Sequence, residues 1–419
     1  MFTRSFSRKK VLVGSFPGNY LVPVFVCLVM NLQSYRPRLP ELTSLRFFAA
    51  IHVVIFHLFT MHITAGPTWY RQLSAIGYVG VGLFFVLSGF ILVYTYGGRE
   101  FRATSFWRAR FARIYPAYLF SLVVNLPGML YVTFMMTPTE TPAFFAWIKQ
   151  HLVLAWVLPP VLLQSWIPHA AIAWNTPAWS LSVEAFFYAI FPGLLVWLMA
   201  SKDRKLMLGA VLAWMVSLAI PFSYVFLKPD GLAYVDDQSF NYFWLDTLKF
   251  FPLSRLPEFL LGACLGVLFV RKPLDRKWGT PLLLGGLVLF VSVVAFSPRI
   301  PYPVLHDSAF TPAFAAIIYG LALRPKWTSV LAFKPMVLLG DASYSLYLLH
   351  GLVVGIYFMP FQPNAPPRHA TLGGVMLGIA IAVAVSILVY LFLEQPCRRW
   401  LRPKEKTQPP IAVEAAKAW

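Results

Sequence analysis

The sequence predicts an all-α integral membrane protein with about ten transmembrane helices and both termini in the cytoplasm. Three observations carry that prediction. The chain is 58% hydrophobic and 12% charged, with a mean hydropathy of +0.66, whereas soluble domains carry roughly twice that charged fraction. Runs of about 20 apolar residues, the length a helix needs to cross a bilayer, recur ten times. Lys and Arg crowd into alternate connections between those runs, as the positive-inside rule requires.

In chain order, residues 1–34 are an N-terminal extension. Its "NYLVPVFVCLVM" is about 12 residues long, too short to span, with positive charge on both sides. Met30 opens a compact leader, "MNLQSYRPRLPELTSLR", which suggests that the native start is Met30 and that residues 1–29 are misassigned. Residues 35–402 form the membrane domain, with spans near 43–64, 76–97, 114–136, 178–200, 206–227, 250–270, 280–297, 309–323, 342–360 and 372–393. Residues 403–419 are a disordered cytoplasmic tail. The connections 98–113, 201–205, 271–279 and 324–334 and the tail 394–406 hold twenty Lys and Arg, among them Arg108, Arg110 and Arg113. The alternate connections hold six: Arg71, Lys149, Lys228, Lys249, Arg299 and Arg368. Twenty against six puts both termini inside. One apolar stretch breaks the alternation. Counting 143–163 as a span would move the "KDRK" turn at 202–205 outside, so it reads as an interfacial or re-entrant element on the outer face, with Lys149, Gln150 and His151 on its wet side.

The net charge of +19 does not indicate nucleic-acid binding, because no soluble basic domain or aromatic-and-basic sheet pattern accompanies it. The three cysteines, Cys27, Cys264 and Cys397, are scattered, so neither a disulfide framework nor a metal site is implied.

Polar groups inside the spans carry the functional reading. The first span contains Arg46, His52, His57 and His62, and such groups are expensive in a bilayer. Arg46 and His57 are eleven residues apart, only about 20° from a whole number of turns and roughly 16 Å along the axis. They share a face, with Arg46 placed near the cytoplasmic surface and His57 near mid-membrane. His52 and His62 lie about 140° away from His57 and point elsewhere. A lone imidazole in a span equally often bonds a neighbouring helix.

"LTSLRFFAAIHVVIFH" resembles the opening motif of the acyltransferase family 3 membrane proteins, an Arg, ten residues, then a His. Further stretches follow that family's order: "GYVGVGLFFVLSGFILVY", "FWRARFARIYPAYL", "NTPAWSLSVEAFFYAIFP", "SRLPEFLLGACLGVL", "LGDASYSLYLLHGLV" and "LEQPCRRWL". The likeness covers residues 35 to 402. It has two departures. Thr43-Ser44 stands where many members have Asp-Gly, and Gly82 where many have an acidic residue, so those carboxylates cannot be essential here.

The resemblance implies transfer of an acyl group, most often acetyl, from cytoplasmic acyl-coenzyme A to a hydroxyl of a carbohydrate or glycolipid in the bacterial inner membrane. On that reading His57 is the general base or a transient acyl carrier. Glu184, about six residues into the fourth span, orients the imidazole, or instead pairs with Ser180 one turn earlier. Arg108, Arg110 and Arg113 offer forked donors to the coenzyme's phosphates, although arginines there also set topology. Arg46 steers the donor inward or snorkels to the interface. Ser180, Trp179, Arg255 and Glu258 are the candidate acceptor contacts, with an Arg255–Glu258 structural ion pair as the plainer reading. Trp174, Trp179 and Tyr188 fall near the outer interface. Asp341 or Ser343 is expected to cap the ninth span, His350 to pack inside it, and Ser88-Gly89 to admit a close helix contact or equally to make room for the pantetheine arm. A transporter or exporter using Arg46, His57 and Glu184 as a proton relay is the competing class. The acceptor and the oligomeric state are not legible.

Overall fold

Pro40 opens the first long helix, where its fixed φ and missing N–H cost nothing, and the helix α1 (Pro40–Thr60) closes with the Met61 amide donating to the His57 carbonyl. In the computed structural model, which describes residues 36–137, 143–236, 239–359 and 367–401, ten stretches are long and apolar enough to cross a membrane. All elements below belong to one unit, Leu39–Trp419. The expectations for 1–34 and 403–419 fall outside the described residues.

A short helix α2 (Thr68–Ala75) precedes α3 (Gly80–Tyr96) and α4 (Ala103–Leu130). The α4 stretch begins eleven residues before its predicted apolar run at 114, because "ATSFWRARFAR" continues the helix into the basic region. Segment 143–163 forms two short helices, α5 (Ala143–Gln150) and α6 (Leu152–Val157), and is not among the ten spanning stretches. Gln150 and His151 are exposed as expected. Lys149 instead turns inward, its Nζ donating to the Thr133 carbonyl at 2.8 Å, which satisfies an acceptor at the end of the α4 stretch.

Next come α7 (Trp179–Ala200), α8 (Asp203–Leu227), α9 (Phe243–Phe250), α10 (Pro252–Arg271) and α11 (Gly279–Phe296). Pro252 forces Phe251 out of helical geometry, to ψ 135, which separates α9 from α10 within one span. The eighth span is likewise divided, into α12 (Tyr302–Asp307) and α13 (Thr311–Ala322). Then α14 (Lys334–Phe358) and α15 (Leu372–Val389) lead through a π turn at Tyr390–Glu394 into α16 (Gln395–Leu401). Because α14 starts at Lys334-Pro335, Asp341 and Ser343 stand two turns inside the helix and do not cap it.

The arrangement puts α3 and α12–α13 at the centre, 78% buried across their spanning windows, and α11 at the edge, 17% buried. Edge helices turn apolar side chains outward: Val196, Trp197, Val288, Val291, Leu372 and Phe392 are all more than 60% exposed. A soluble surface rarely shows such continuous apolar cover; lipid requires it. The closest crossing joins α3 to α10. A Cβ at Gly89 would stand 2.7 Å from the Ala263 nitrogen, and one at Gly262 would stand 2.8 Å from the Val86 carbonyl carbon. Those two glycines allow the backbones to touch, as expected for Gly89.

Candidate active site

His57 lies in the last turn of α1, about 4.5 Å from its end, whereas Arg46 stands about 9 Å inside the other end. His57 is thus closer to its end of the helix than Arg46 is to the other. The apolar run continues to Thr64, but the chain leaves the helix at Met61 and turns through His62 at φ 59, so run length overstated the helix. His52 turns away, its Nε2 on the Leu73 carbonyl at 2.7 Å, and His62 folds back on Thr60.

The partner of His57 is His350, one of the residues expected only to pack. His350 Nε2 and His57 Nδ1 are 3.2 Å apart, with ring centroids 4.8 Å apart. His350 Nδ1 lies 2.7 Å from the Tyr347 carbonyl, so that nitrogen carries the proton and Nε2 is an acceptor. His57 Nδ1 then donates, shared between His350 and the Val53 carbonyl at 2.9 Å. This leaves the lone pair of His57 on Nε2, which has no hydrogen-bond partner among the described residues.

The expected contact between His57 and Glu184 is not made. Glu184, in the second turn of α7, accepts from Ser88 Oγ at 3.4 Å and from the Tyr188 hydroxyl in a short hydrogen bond. Ser180 bonds the Tyr347 hydroxyl at 3.0 Å and not Glu184. Between the histidines and Glu184 lie Tyr347, whose hydroxyl donates to the Pro177 carbonyl at 2.8 Å, and Phe84, 6.1 Å from its ring. Ser88 is one helical turn beyond Phe84 on α3. Tyr347, whose ring is 6.1 Å from that of His350, bonds Ser180 and lies in the field of Glu184, so it forms a polar line from the imidazole pair toward Glu184.

Beyond Glu184 the arginines gather. Arg46 and Arg113 both lie in the fields of Glu184, Tyr188 and Asp341, and they oppose each other. Glu394, bonded to Ser345 Oγ at 3.0 Å, and Arg398 complete the cluster. Tyr188, expected near the outer interface, is buried here, 5.8 Å from the Arg110 guanidinium. Arg110 also stacks over Tyr96 and Phe106, and its Nε is buried with no hydrogen-bond partner among the described residues, as is Arg99 Nε. Unpaired buried N–H groups are costly, so this cluster is suited to hold an anion. Arg108 is not part of it: two residues from Arg110, it faces away, and its Nε donates to the Leu401 carbonyl at 3.2 Å. The three arginines expected to act together are thus divided. If the cluster holds the acyl-coenzyme A that the resemblance implies, Arg113→Glu should raise its KM at least about tenfold, the size of one charge-assisted contact, and Arg108→Glu should leave it near wild type. Equal effects from both would reduce the cluster to a topology signal.

Arg255 and Glu258 pair at 2.9 Å, as the plainer reading expects, and Asp307 adds a second carboxylate on Arg255, with His306 Nδ1 2.7 Å from Asp307. All four are buried. Glu258 Oε1 stands 2.6 Å from where a Cβ at Gly82 would be, so a carboxylate fills the space left by the acidic residue this chain lacks. Trp179 is also buried, packed between Phe85 and Phe250 with centroids 6.1 and 5.1 Å away, leaving no face for a sugar ring. Sequence reasoning gave His350 and Asp341 other roles and passed over Glu394 and Asp307. The first three stand inside motifs it quoted, "LLHG", "LGDAS" and "LEQP".

Residues 39–391 match the family model described as an acyltransferase domain. The acyltransferase MdmB of Streptomyces mycarofaciens is 29% identical, over 91% of this chain and 97% of MdmB. The O-acetyltransferase OatA of Staphylococcus aureus strain MRSA252 is 25% identical, over 90% of this chain and 61% of OatA. A putative peptidoglycan O-acetyltransferase, YrhL of Bacillus subtilis strain 168, is 26% identical, over 86% of this chain and 55% of its own length. The chain thus spans nearly all of MdmB but less than two thirds of OatA and YrhL. No solved structure matches.

Proposed function

The chain belongs to the acyltransferase family, and from that premise we propose that it is an O-acyltransferase of the bacterial inner membrane, moving an acyl group, most simply acetyl, from cytoplasmic acyl-coenzyme A to a carbohydrate or glycolipid hydroxyl. Relatives named O-acetyltransferases, one of them for peptidoglycan, support a glycan acceptor. The alternation of basic connections supports placing the arginine cluster at the cytoplasmic side and His57 at the outer side.

The observation that carries the reading is the imidazole pair: His57 is held through Nδ1 by His350 and the Val53 carbonyl, leaving Nε2 free to take a proton. The coenzyme's phosphates dock on Arg110 and Arg113, with Arg46 further in, and the slender pantetheine arm follows the line of Ser88 and Tyr347 toward His57. His57 Nε2 removes the proton of the acceptor hydroxyl as the oxygen attacks the thioester carbonyl. The new C–O ester bond forms, the C–S bond breaks, and the leaving thiolate takes the proton back from the imidazolium. His350 acts on His57 and not on substrate, so it is a positioning residue. Glu184 is bonded to Ser88 and Tyr188 and not to His57; its role is to balance Arg46 and Arg113 where the donor enters.

Purified protein should release free thiol from acetyl-coenzyme A at a rate that rises when a hydroxylated glycan acceptor is added. Proton-coupled flux in vesicles, with no thiol released for any acceptor, would instead establish the exporter reading.

A further inference from the structure

Six Lys and Arg occupy the connections assigned to the outer side, and three of them, Arg71, Lys228 and Arg299, line a single cavity of about 620 Å³. They arrive from three different connections: Arg71 on α2, Lys228 at the end of α8 with φ 45, and Arg299 in the turn after α11. A fourth, Lys249, lies just beneath, its Nζ 5.2 Å from the ring of Tyr302, which lines the same cavity. Cations are scarce on an outward face, so topology does not explain their convergence.

None of the three lining cations has a carboxylate partner among the described residues. Arg71 has a 3.5 Å contact to the Thr68 hydroxyl, and Arg299 lies over the Phe296 ring. Asp236 is the acidic residue among the described lining, and Ser239 Oγ already donates to it at 2.9 Å. The remaining wall is mostly aliphatic and proline, with Tyr78, Tyr224, Tyr234 and Tyr302 set into it. Tyr78 and Tyr302 stand against one another at 5.4 Å, and Tyr78 stacks on His306 at 5.0 Å. Tyr78 also meets Phe56 at 5.4 Å, and Phe56 meets His57 at 5.0 Å, so one ring separates the cavity from the base.

Forked guanidinium donors and a mobile ammonium recognise phosphate or carboxylate. Tyrosine faces supply flat apolar surface with a polar edge, which suits a saccharide ring. We propose that this cavity is the acceptor recognition subsite and that it takes an anionic saccharide, holding the anion on Arg71, Lys228 and Arg299 and a sugar ring on the tyrosines. The inference rests on the O-acyltransferase reading and its orientation, and it restricts the acceptor to glycans carrying a phosphate or carboxylate.

The test is binding without donor. The full chain in nanodiscs of zwitterionic lipid is titrated with a galacturonate trisaccharide, glucose 1-phosphate and neutral maltotriose. The acidic saccharides should bind at least about tenfold more tightly than maltotriose, a difference of one charge-assisted contact, and added salt should erase part of that preference. Arg71→Glu/Arg299→Glu should remove it; Lys228→Gln, a milder change, should reduce it in protein that still elutes as a single species. Equal binding of acidic and neutral saccharides, or a preference that survives in both variants, overturns the proposal. If phosphatidylglycerol in the disc abolishes saccharide binding at constant ionic strength, a lipid headgroup occupies the cavity, and the proposal likewise fails. Thiol release measured on the same preparation keeps the two readings apart: release to a neutral glycan without selective binding sinks this inference alone, whereas selective binding with no release for any acceptor sinks the transferase.

Discussion

His57→Ala should reduce acceptor-stimulated thiol release by about 10³-fold, in the middle of the range for a positioned general base, while leaving donor affinity near wild type. The separation follows from geometry. Arg110 and Arg113, which we assign to the donor, lie at the far end of the polar line from the imidazole pair, and removing an imidazole that, among the described residues, bonds only Val53 and His350 leaves their cluster intact. His350→Gln should cost less, about tenfold, because Val53 still holds His57 Nδ1 while the ring loses its second restraint. Turnover in His57→Ala equal to wild type would end the catalytic assignment. A loss in His350→Gln as large as that in His57→Ala would mean that His350 touches substrate and is more than a positioning residue. Acyl transfer onto the protein, sought with labelled donor in the absence of acceptor, separates the general base from the acyl carrier: label retained by wild type and lost in His57→Ala would make His57 the carrier.

Arg255→Met should produce the largest loss of stability. Arg255 is 1% exposed and pairs with both Glu258 and Asp307, themselves 2% and 5% exposed. Methionine keeps much of the stem's volume but leaves two buried carboxylates side by side without a cation. Removing one partner of a buried pair costs about 3–5 kcal/mol, and here two acids are stranded at once. Thermal unfolding in detergent, followed by the loss of the monodisperse peak, should shift well below wild type. Adding Glu258→Gln and Asp307→Asn to Arg255→Met should restore much of the loss, since amides carry no charge to desolvate. An unshifted transition for Arg255→Met would show that the network is not what holds α10 to α12. Failure of the triple variant to recover would assign the loss to Arg255's packing against Phe85, over whose ring its guanidinium lies at 5.5 Å.

The helical scaffold was legible because a bilayer leaves few alternatives. Backbone groups must be satisfied within each span, so long apolar runs become helices, and all ten runs do. The ends of those helices were less legible, since hydropathy does not record where the backbone turns. It carried the first run past Thr60, where the chain leaves the helix, and missed the basic start of α4 and the early start of α14 at Lys334. Those shifts matter for chemistry: one moves His57 to the end of its helix, and another puts Asp341 among the arginines in place of a cap.

By itself the sequence determined the membrane class, the number of spans and the shared face of Arg46 and His57, because each depends on composition or on a period within a single helix. It could not say which group meets His57, since that depends on how α1 packs against α14, 293 residues away in sequence. Periodicity places side chains around one axis; only packing decides which axes are neighbours and at what height they cross. That is why Glu184 looked like the partner of His57, and why His350 proved to be the residue in contact.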